Sequence, residues 1–381
     1  MLSAFLLFFS VAVALVISNI DGLLYVYREI INYKLSIGIG PYQASKTLVK
    51  FVNDGLMAIF FFFLGLEMKY HITEGEFRDK RTLLLPTITA AGGFIVPALL
   101  YAAFNYDSIE GSVGWAIPVA TDTAFVLAIL TLMKDKVFDS VKVFVIGLSI
   151  IDDVLAVLTL AVFYTPQLNV IPLLWCIIPL VLLFLLNRVN SHNRFLYYLI
   201  GIFLWLLIVQ AGIHGTIAGI LLACFIPTRI ELPHKTVHLV KDMESSIHTL
   251  VAFVILPLFA FVNCELPFYE LNLDDLFSTI SLGSFTGLFW GKPIGIISFM
   301  YVAKLAGYVD LPKGTTMIQF CGVASLCGIG FTLSLFIGLQ AFGTIELENQ
   351  MKIGVLLGSL GSIVLGSIII NVCSKKLRLP E

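Results

Sequence analysis

The chain has 381 residues, of which 59% are hydrophobic and only 13% charged, against about 25% charged in ordinary soluble domains. That composition excludes a soluble globular protein and identifies an integral membrane protein. A formal net charge of -2, with no basic stripe and no aromatic-basic interleaving, excludes a nucleic-acid partner.

Apolar runs of about 17 to 25 residues recur along the whole chain, and the short polar segments between them leave no room for an independent soluble domain. We therefore expect one membrane domain over residues 1–381, all-α, with twelve spans near 2–18, 53–69, 83–104, 114–133, 141–163, 170–186, 195–210, 212–227, 243–263, 280–304, 316–340 and 353–373. The first run has neither a basic region before it nor a small-residue cleavage site after it, so it reads as a span rather than a removed signal peptide. Between spans 1 and 2, Tyr33 to Tyr42 alternates around Gly-Ile-Gly-Pro and predicts a hairpin outside the membrane. Lysine and arginine then fall on alternate loops: Lys69, Arg78, Lys80 and Arg81 after span 2, Lys134, Lys136 and Lys142 after span 4, and Arg188 and Arg194 after span 6. Arg229, Lys235 and Lys241 follow span 8, Lys304 and Lys313 follow span 10, and Lys375, Lys376 and Arg378 end the chain. By the positive-inside rule both termini face the cytoplasm, although Arg28, Lys34, Lys46 and Lys50 lie on the predicted outside. The six cysteines have no zinc spacing and read as small apolar residues.

Four spans carry chemistry. Span 5 holds Asp152 and Asp153 side by side near its centre, where each acid costs about 2.5 to 3.5 kcal/mol on insertion. Span 4 is interrupted by Pro118 just before Thr121 and Asp122, and span 11 by Gly328 and Gly330 ahead of Thr332 and Ser334. Unwound backbone survives at that depth only beside a cavity, so matching breaks in spans 3–5 and 10–12 point to a transport site between two repeated halves. Lys292 in span 10 is the fourth central ionisable group. Successive residues on a helix point about 100° apart, so one of the two aspartates can meet a cation while the other meets Lys292. Burial and a neighbouring carboxylate both favour the protonated acid, and carboxylate, hydroxyl and carbonyl oxygens are also hard ligands for an alkali cation. One site can then hold either sodium or protons. The plainer alternative is an acid pair that only ties helices together.

The stretches FVNDGLMAIFFFFLGLEMK, GWAIPVATDTAF, GLSIIDDVLAV, GIHGTIAG, ILPLFAFVN, GKPIGI and CGIGFTLSLFI resemble the NhaA-type bacterial sodium/proton antiporter family. The resemblance implies inverted repeats with crossing broken helices, and an electrogenic exchange of Na+ or Li+ for H+ serving pH and sodium homeostasis in the bacterial inner membrane. It also implies that no cofactor is needed, that the lipid bilayer is the surroundings, and that a homodimer forms through the 33–42 hairpin. It makes Asp152 and Asp153 the ion-binding and proton-carrying pair, with Thr121, Asp122 and Lys292 compensating charge at the broken helices. Asp54 matches an acid at the start of span 2. Glu67 and Glu244 match cytoplasmic funnel acids linked to pH response, and His214 a histidine also linked to it. The chain departs from the family's pattern at Tyr70, His71 and Ser245, and His71, as an exposed imidazole, is expected to make the funnel more positive below neutrality. Two other functions stay open: a sodium-coupled symporter of an organic anion, for which no larger basic pocket is visible, and an intramembrane aspartyl protease, whose two acids should come from different helices.

Overall fold

The computed structural model describes residues 2–39, 42–165, 168–232 and 235–377. In chain order the helices are α1 (Leu2–Ser18), α2 (Leu23–Ile31), α3 (Leu48–Thr73), α4 (Lys80–Phe104), α5 (Ile109–Val119), α6 (Thr123–Leu132), α7 (Asp139–Phe163), α8 (Val170–Arg188), α9 (Arg194–Gln210) and α10 (Thr216–Phe225). They continue with α11, made of Leu239–Leu250, a π-helical turn Val251–Ile255 and Leu256–Asn263, and with α12, made of Thr279–Thr286, a π-helical turn Gly287–Gly291 and Lys292–Leu305. The last three are α13 (Met317–Leu326), α14 (Phe331–Ala341) and α15 (Ile345–Leu377). Strands β1 (Lys34–Ile39) and β2 (Tyr42–Thr47) pair antiparallel from Lys34 opposite Thr47 to Ile39 opposite Tyr42. The paired stretch is thus longer than the 33–42 expected; Gly40 and Pro41 of the expected turn, like the C-terminal Arg378, lie outside the described residues.

Among the described residues six helices are long and apolar enough to cross a membrane, and two bent pairs bring the number to eight. The bent pairs are α5 with α6, at 41°, and α13 with α14, at 44°. Both breaks fall where the sequence places them, because Pro118 removes a helix hydrogen bond in one and Gly328 and Gly330 weaken the other. Three further apolar helices, α1, α9 and α10, are shorter. Large apolar side chains such as Leu99, Val162, Ile202 and Val372 stand exposed, a surface suited to lipid rather than water.

Two compact units divide the chain. One comprises residues 79–159 and 268–381 and contains both bent pairs; the other comprises residues 2–78 and 160–267. In the first, α4 and α12 meet through glycines: a Cβ at Gly92 would lie 2.3 Å from the Gly295 carbonyl oxygen, and one at Gly295 would lie 2.2 Å from that of Gly92. Such backbone contact is how membrane helices gain packing where no hydrophobic force acts between them. Asp79 caps α4 by accepting from Arg81 N at 3.0 Å, and Thr316 with Gln319 forms a capping box at the start of α13. In the second unit α3 packs on α10, and a Cβ at Gly219 would lie 2.3 Å from the Ala58 carbonyl oxygen. There Asn53 and Asn263 exchange amide hydrogen bonds at 3.0 and 2.8 Å, while Tyr27, raised well above the ordinary tyrosine pKa by burial, donates to the Phe261 carbonyl.

Candidate functional site

The first unit assembles its site from two interruptions and two continuous helices. Helix α5 tightens to 3-10 geometry over Val113–Val119, then runs extended through Ala120 and Asp122 before α6 begins. The second interruption lies between Leu326 and Phe331. The two are stitched together by backbone, since Asp122 N donates to the Ile329 carbonyl at 2.6 Å.

Each break exposes helix ends, and one end of each sign meets an opposite charge. The Asp122 carboxylate accepts from Thr332 N at 3.1 Å and from Thr332 Oγ1 at 2.6 Å, so an anion sits in the first turn of α14. Lys292 Nζ donates to the Val119 carbonyl at the end of α5, so a cation sits where carbonyl oxygens are left over. Helix ends carry roughly half an elementary charge, and these placements neutralise one of each sign.

The same ammonium reaches Asp152 Oδ2 at 2.6 Å, and both side chains are 0% exposed. Thr121 Oγ1 lies 2.7 Å from that carboxylate oxygen and 3.0 Å from the Cys327 carbonyl. A hydroxyl has one proton to donate, and the charged acceptor at the shorter distance takes it. Asp152 Oδ2 is therefore fully engaged, whereas Asp152 Oδ1, also buried, has no hydrogen-bond partner among the described residues. Asp153, the next residue on α7, is 7% exposed against 0% for Asp152, so the two acids differ in access as well as direction. Two carboxylates, a hydroxyl and break-zone carbonyls form a hard-oxygen set suited to a small monovalent cation. Among the described residues no three His, Cys, Asp or Glu side chains gather into a metal-binding cluster.

Five of the ten residues singled out in the sequence thus meet in one unit. The other five belong to the second. Asp54, at a π-helical turn Val52–Leu56, accepts from Lys46 Nζ at 2.7 Å, and its carbonyl accepts from Trp205 Nε1 at 3.2 Å. Glu67 lies on α3 within electrostatic reach of Glu244 on α11. His214 Nε2 donates to the Tyr164 carbonyl at 2.8 Å, which fixes that nitrogen as the protonated one. His71 corrects an expectation: its imidazole is half-buried rather than exposed, packed edge-on to Tyr70 and tilted against Phe77, with Nδ1 buried. The reason is local, because the chain turns after Thr73 and brings Phe77 back over the ring.

Sequence reasoning missed the two carbonyls, Val119 and Cys327, and did not single out Thr332 as the partner of Asp122. Only the hydroxyl just beyond Gly330 carried a readable signal. Comparison with known proteins adds an independent finding. The profile of the family described as Na+/H+ antiporter 1 matches residues 1–370. The Na(+)/H(+) antiporter NhaA of a Nitratiruptor species is 41% identical over 349 residues, covering 91% of this chain and 90% of that protein. That of Aliivibrio fischeri is 40% identical over 373 residues, covering 97% and 95%, and that of Salmonella arizonae is 39% identical over 363 residues, covering 95% and 93%.

Proposed function

The chain belongs to the Na+/H+ antiporter 1 family, and from that premise we propose how this multi-pass transporter, which is not an enzyme, exchanges sodium for protons. The cation site is Asp152 and Asp153, which also carry the protons. Asp122 and Lys292 hold the broken helices electrically neutral, and Thr121 orients Asp152. The observation that carries this reading is the engaged Oδ2 of buried Asp152, held by Lys292 and Thr121, beside the more accessible Asp153.

Charge balance supplies the mechanism. Without a cation, the Lys292 ammonium and the Asp152 carboxylate neutralise one another in a dry site. A sodium ion arriving at Asp153 and at Asp152 Oδ1 adds a positive charge that such surroundings do not tolerate. At least one proton must leave as the cation enters, from a protonated Asp153 or from Lys292 once Asp152 turns to the cation, and when both leave the exchange moves net charge. Reversal on the other side, where protons are plentiful, expels the cation. Lithium has the same charge and a similar preference for oxygen, so it is carried too. With more protons entering than cations leaving, the membrane potential adds about 2.3 kcal/mol per net charge per 100 mV.

Twelve crossings are assigned, each bent pair counting as one and α2 as none, with the repeats inverted around the two breaks, both termini in the cytoplasm and the protein in a bacterial inner membrane. The alternation of lysine and arginine along the loops supports that orientation. The β1–β2 hairpin is assigned as the contact of a homodimer, and Glu67, His71, Glu244 and His214 as the groups around the cytoplasmic entry that bear on pH response. No cofactor enters the cycle.

Proton release from purified protein on adding cation tests the exchange directly. Sodium and lithium chloride should each acidify a weakly buffered sample in proportion to protein, and potassium chloride should not. Silence with all three salts would overturn the proposal, as would an equal response to potassium.

A further inference from the structure

A polar pocket of about 350 Å³ in the second unit shares no residue with the sodium site and is lined by Tyr70, Glu74, Arg78, Arg229, His238 and Lys241, together with Thr73. Its volume is within the range of small-molecule sites. Three permanent cations and one carboxylate line it, and a second carboxylate, Glu244, acts on Lys241 from nearby. Glu74 takes His238 Nδ1 at 2.8 Å and Arg229 Nε only at 3.7 Å, so most of the Arg229 fork is unspent. Lys241 Nζ donates to the Tyr70 hydroxyl at 3.1 Å and lies over its ring, which fixes the ammonium without neutralising it. Arg78 has no ion-pair partner among the described residues. The pocket also adjoins the start of α11, whose preceding residue His238 makes no side-chain cap, so the positive end of a long helix adds to the same field.

We propose that this pocket binds a phosphate group. Two guanidinium forks offer paired N–H donors at the spacing of phosphate oxygens, the ammonium and the tyrosine hydroxyl add donors at other angles, and this many converging donors match the several oxygens of a phosphate group better than the two of a carboxylate. The residues that line it are not those that handle sodium. Two sources share this chemistry: the headgroup of an anionic phospholipid at the membrane surface, and a soluble phosphate in the adjoining aqueous phase.

Calorimetric titration of the full chain in neutral detergent separates them, with inorganic phosphate as one probe and dihexanoyl-phosphatidylglycerol below its micellar concentration as the other. Saturable binding of at least one probe is expected, undiminished by chloride at matched ionic strength. Tighter binding of the lipid assigns the site to the membrane, and equal or tighter binding of inorganic phosphate assigns it to the soluble anion. Arg78→Gln with Arg229→Gln should weaken binding about tenfold or more, while sodium-dependent proton release stays at the parent level and reports that the protein is folded. Lys241→Gln is a second, single-site variant with the same expectation for binding. Displacement by chloride, no saturable binding of either probe, or an unchanged affinity in the variants would overturn the proposal.

Discussion

Replacing Lys292 with alanine should destabilise the protein by about 3 to 5 kcal/mol, because it leaves the Asp152 carboxylate buried without its partner. The structure gives little room for a smaller effect. Both side chains are 0% exposed and 2.6 Å apart, so the pair is screened from bulk water. The same change strips the Val119 carbonyl of its donor at the end of α5, and an orphaned buried acceptor costs about 1 to 3 kcal/mol. Protonation of Asp152 can relieve part of the first cost, so the loss should shrink as pH falls. A second variant separates charge from packing. Asp152→Asn combined with Lys292→Met removes both charges at nearly constant volume, and a buried ion pair replaced by matched neutral groups is often neutral in stability. The double variant should therefore recover most of what the single variant loses. Equilibrium unfolding in mixed detergent micelles, run for the parent, Lys292→Ala, Asp152→Asn, Lys292→Met and the double, gives the coupling between the two positions from the last three and the parent. A single variant within about 1 kcal/mol of the parent, or a double variant no better than the worse single one, would refute the reasoning from a dry ion pair.

Asp153→Asn should abolish sodium-dependent proton release, since an amide neither titrates nor supplies a formal charge to the cation; retention of most of the parent signal would remove Asp153 from the site. Thr121→Val keeps shape but deletes the donor to Asp152 Oδ2, and should raise the sodium concentration for half-maximal exchange about tenfold; an unchanged value would mean that the hydroxyl does not orient the acid. His71→Phe preserves the ring contacts with Tyr70 and Phe77, so its stability should stay within about 1 kcal/mol of the parent, with His71→Ala losing more. Equal melting temperatures for the two variants would show that the ring is not held by packing.

Much of the architecture was legible because membrane helices announce themselves by composition, and because Pro118 and Gly328 with Gly330 mark breaks by what they do to a helix. Asp122, Asp152, Asp153 and Lys292 were legible for a related reason: charge in an apolar run is costly enough that it signals a role. What was hidden are contacts that no local pattern encodes. Lys292 reaches Asp152 across 140 positions and the Val119 carbonyl across 173, and a backbone carbonyl has no letter in the sequence. Among the described residues three π-helical turns lie at Val52–Leu56, Val251–Ile255 and Gly287–Gly291; the last two run into Pro257 and Pro293, which remove a helix hydrogen bond, while the first carries no such mark. The strand Tyr42–Thr47 was missed because Gln43, Ser45 and Lys46 give it weak apolar alternation. His71 was misjudged because its class says nothing of burial, which here is decided by Phe77 arriving from the following turn.

Whether one site serves both ions can be decided from the shape of the pH profile. If sodium and protons compete for Asp152 and Asp153, low pH fills the site with protons and blocks sodium, while high pH leaves too few protons for the return step. Activity against pH should then be bell-shaped. Linkage fixes how the acid limb responds to sodium: an ion that binds only the deprotonated site pulls protons off, so the limb moves to lower pH as sodium rises. Its midpoint should shift by about one pH unit for each tenfold rise in sodium above the dissociation constant, if one proton is displaced. A separate sensor around Glu67 and Glu244 would behave otherwise, because its protonation is set by its own surroundings and not by occupancy of a site in another part of the chain. The limb would then stay at one pH whatever the sodium concentration. Exchange measured in proteoliposomes across pH at several sodium concentrations distinguishes the two, and a stationary limb would rule out simple competition at the aspartate pair.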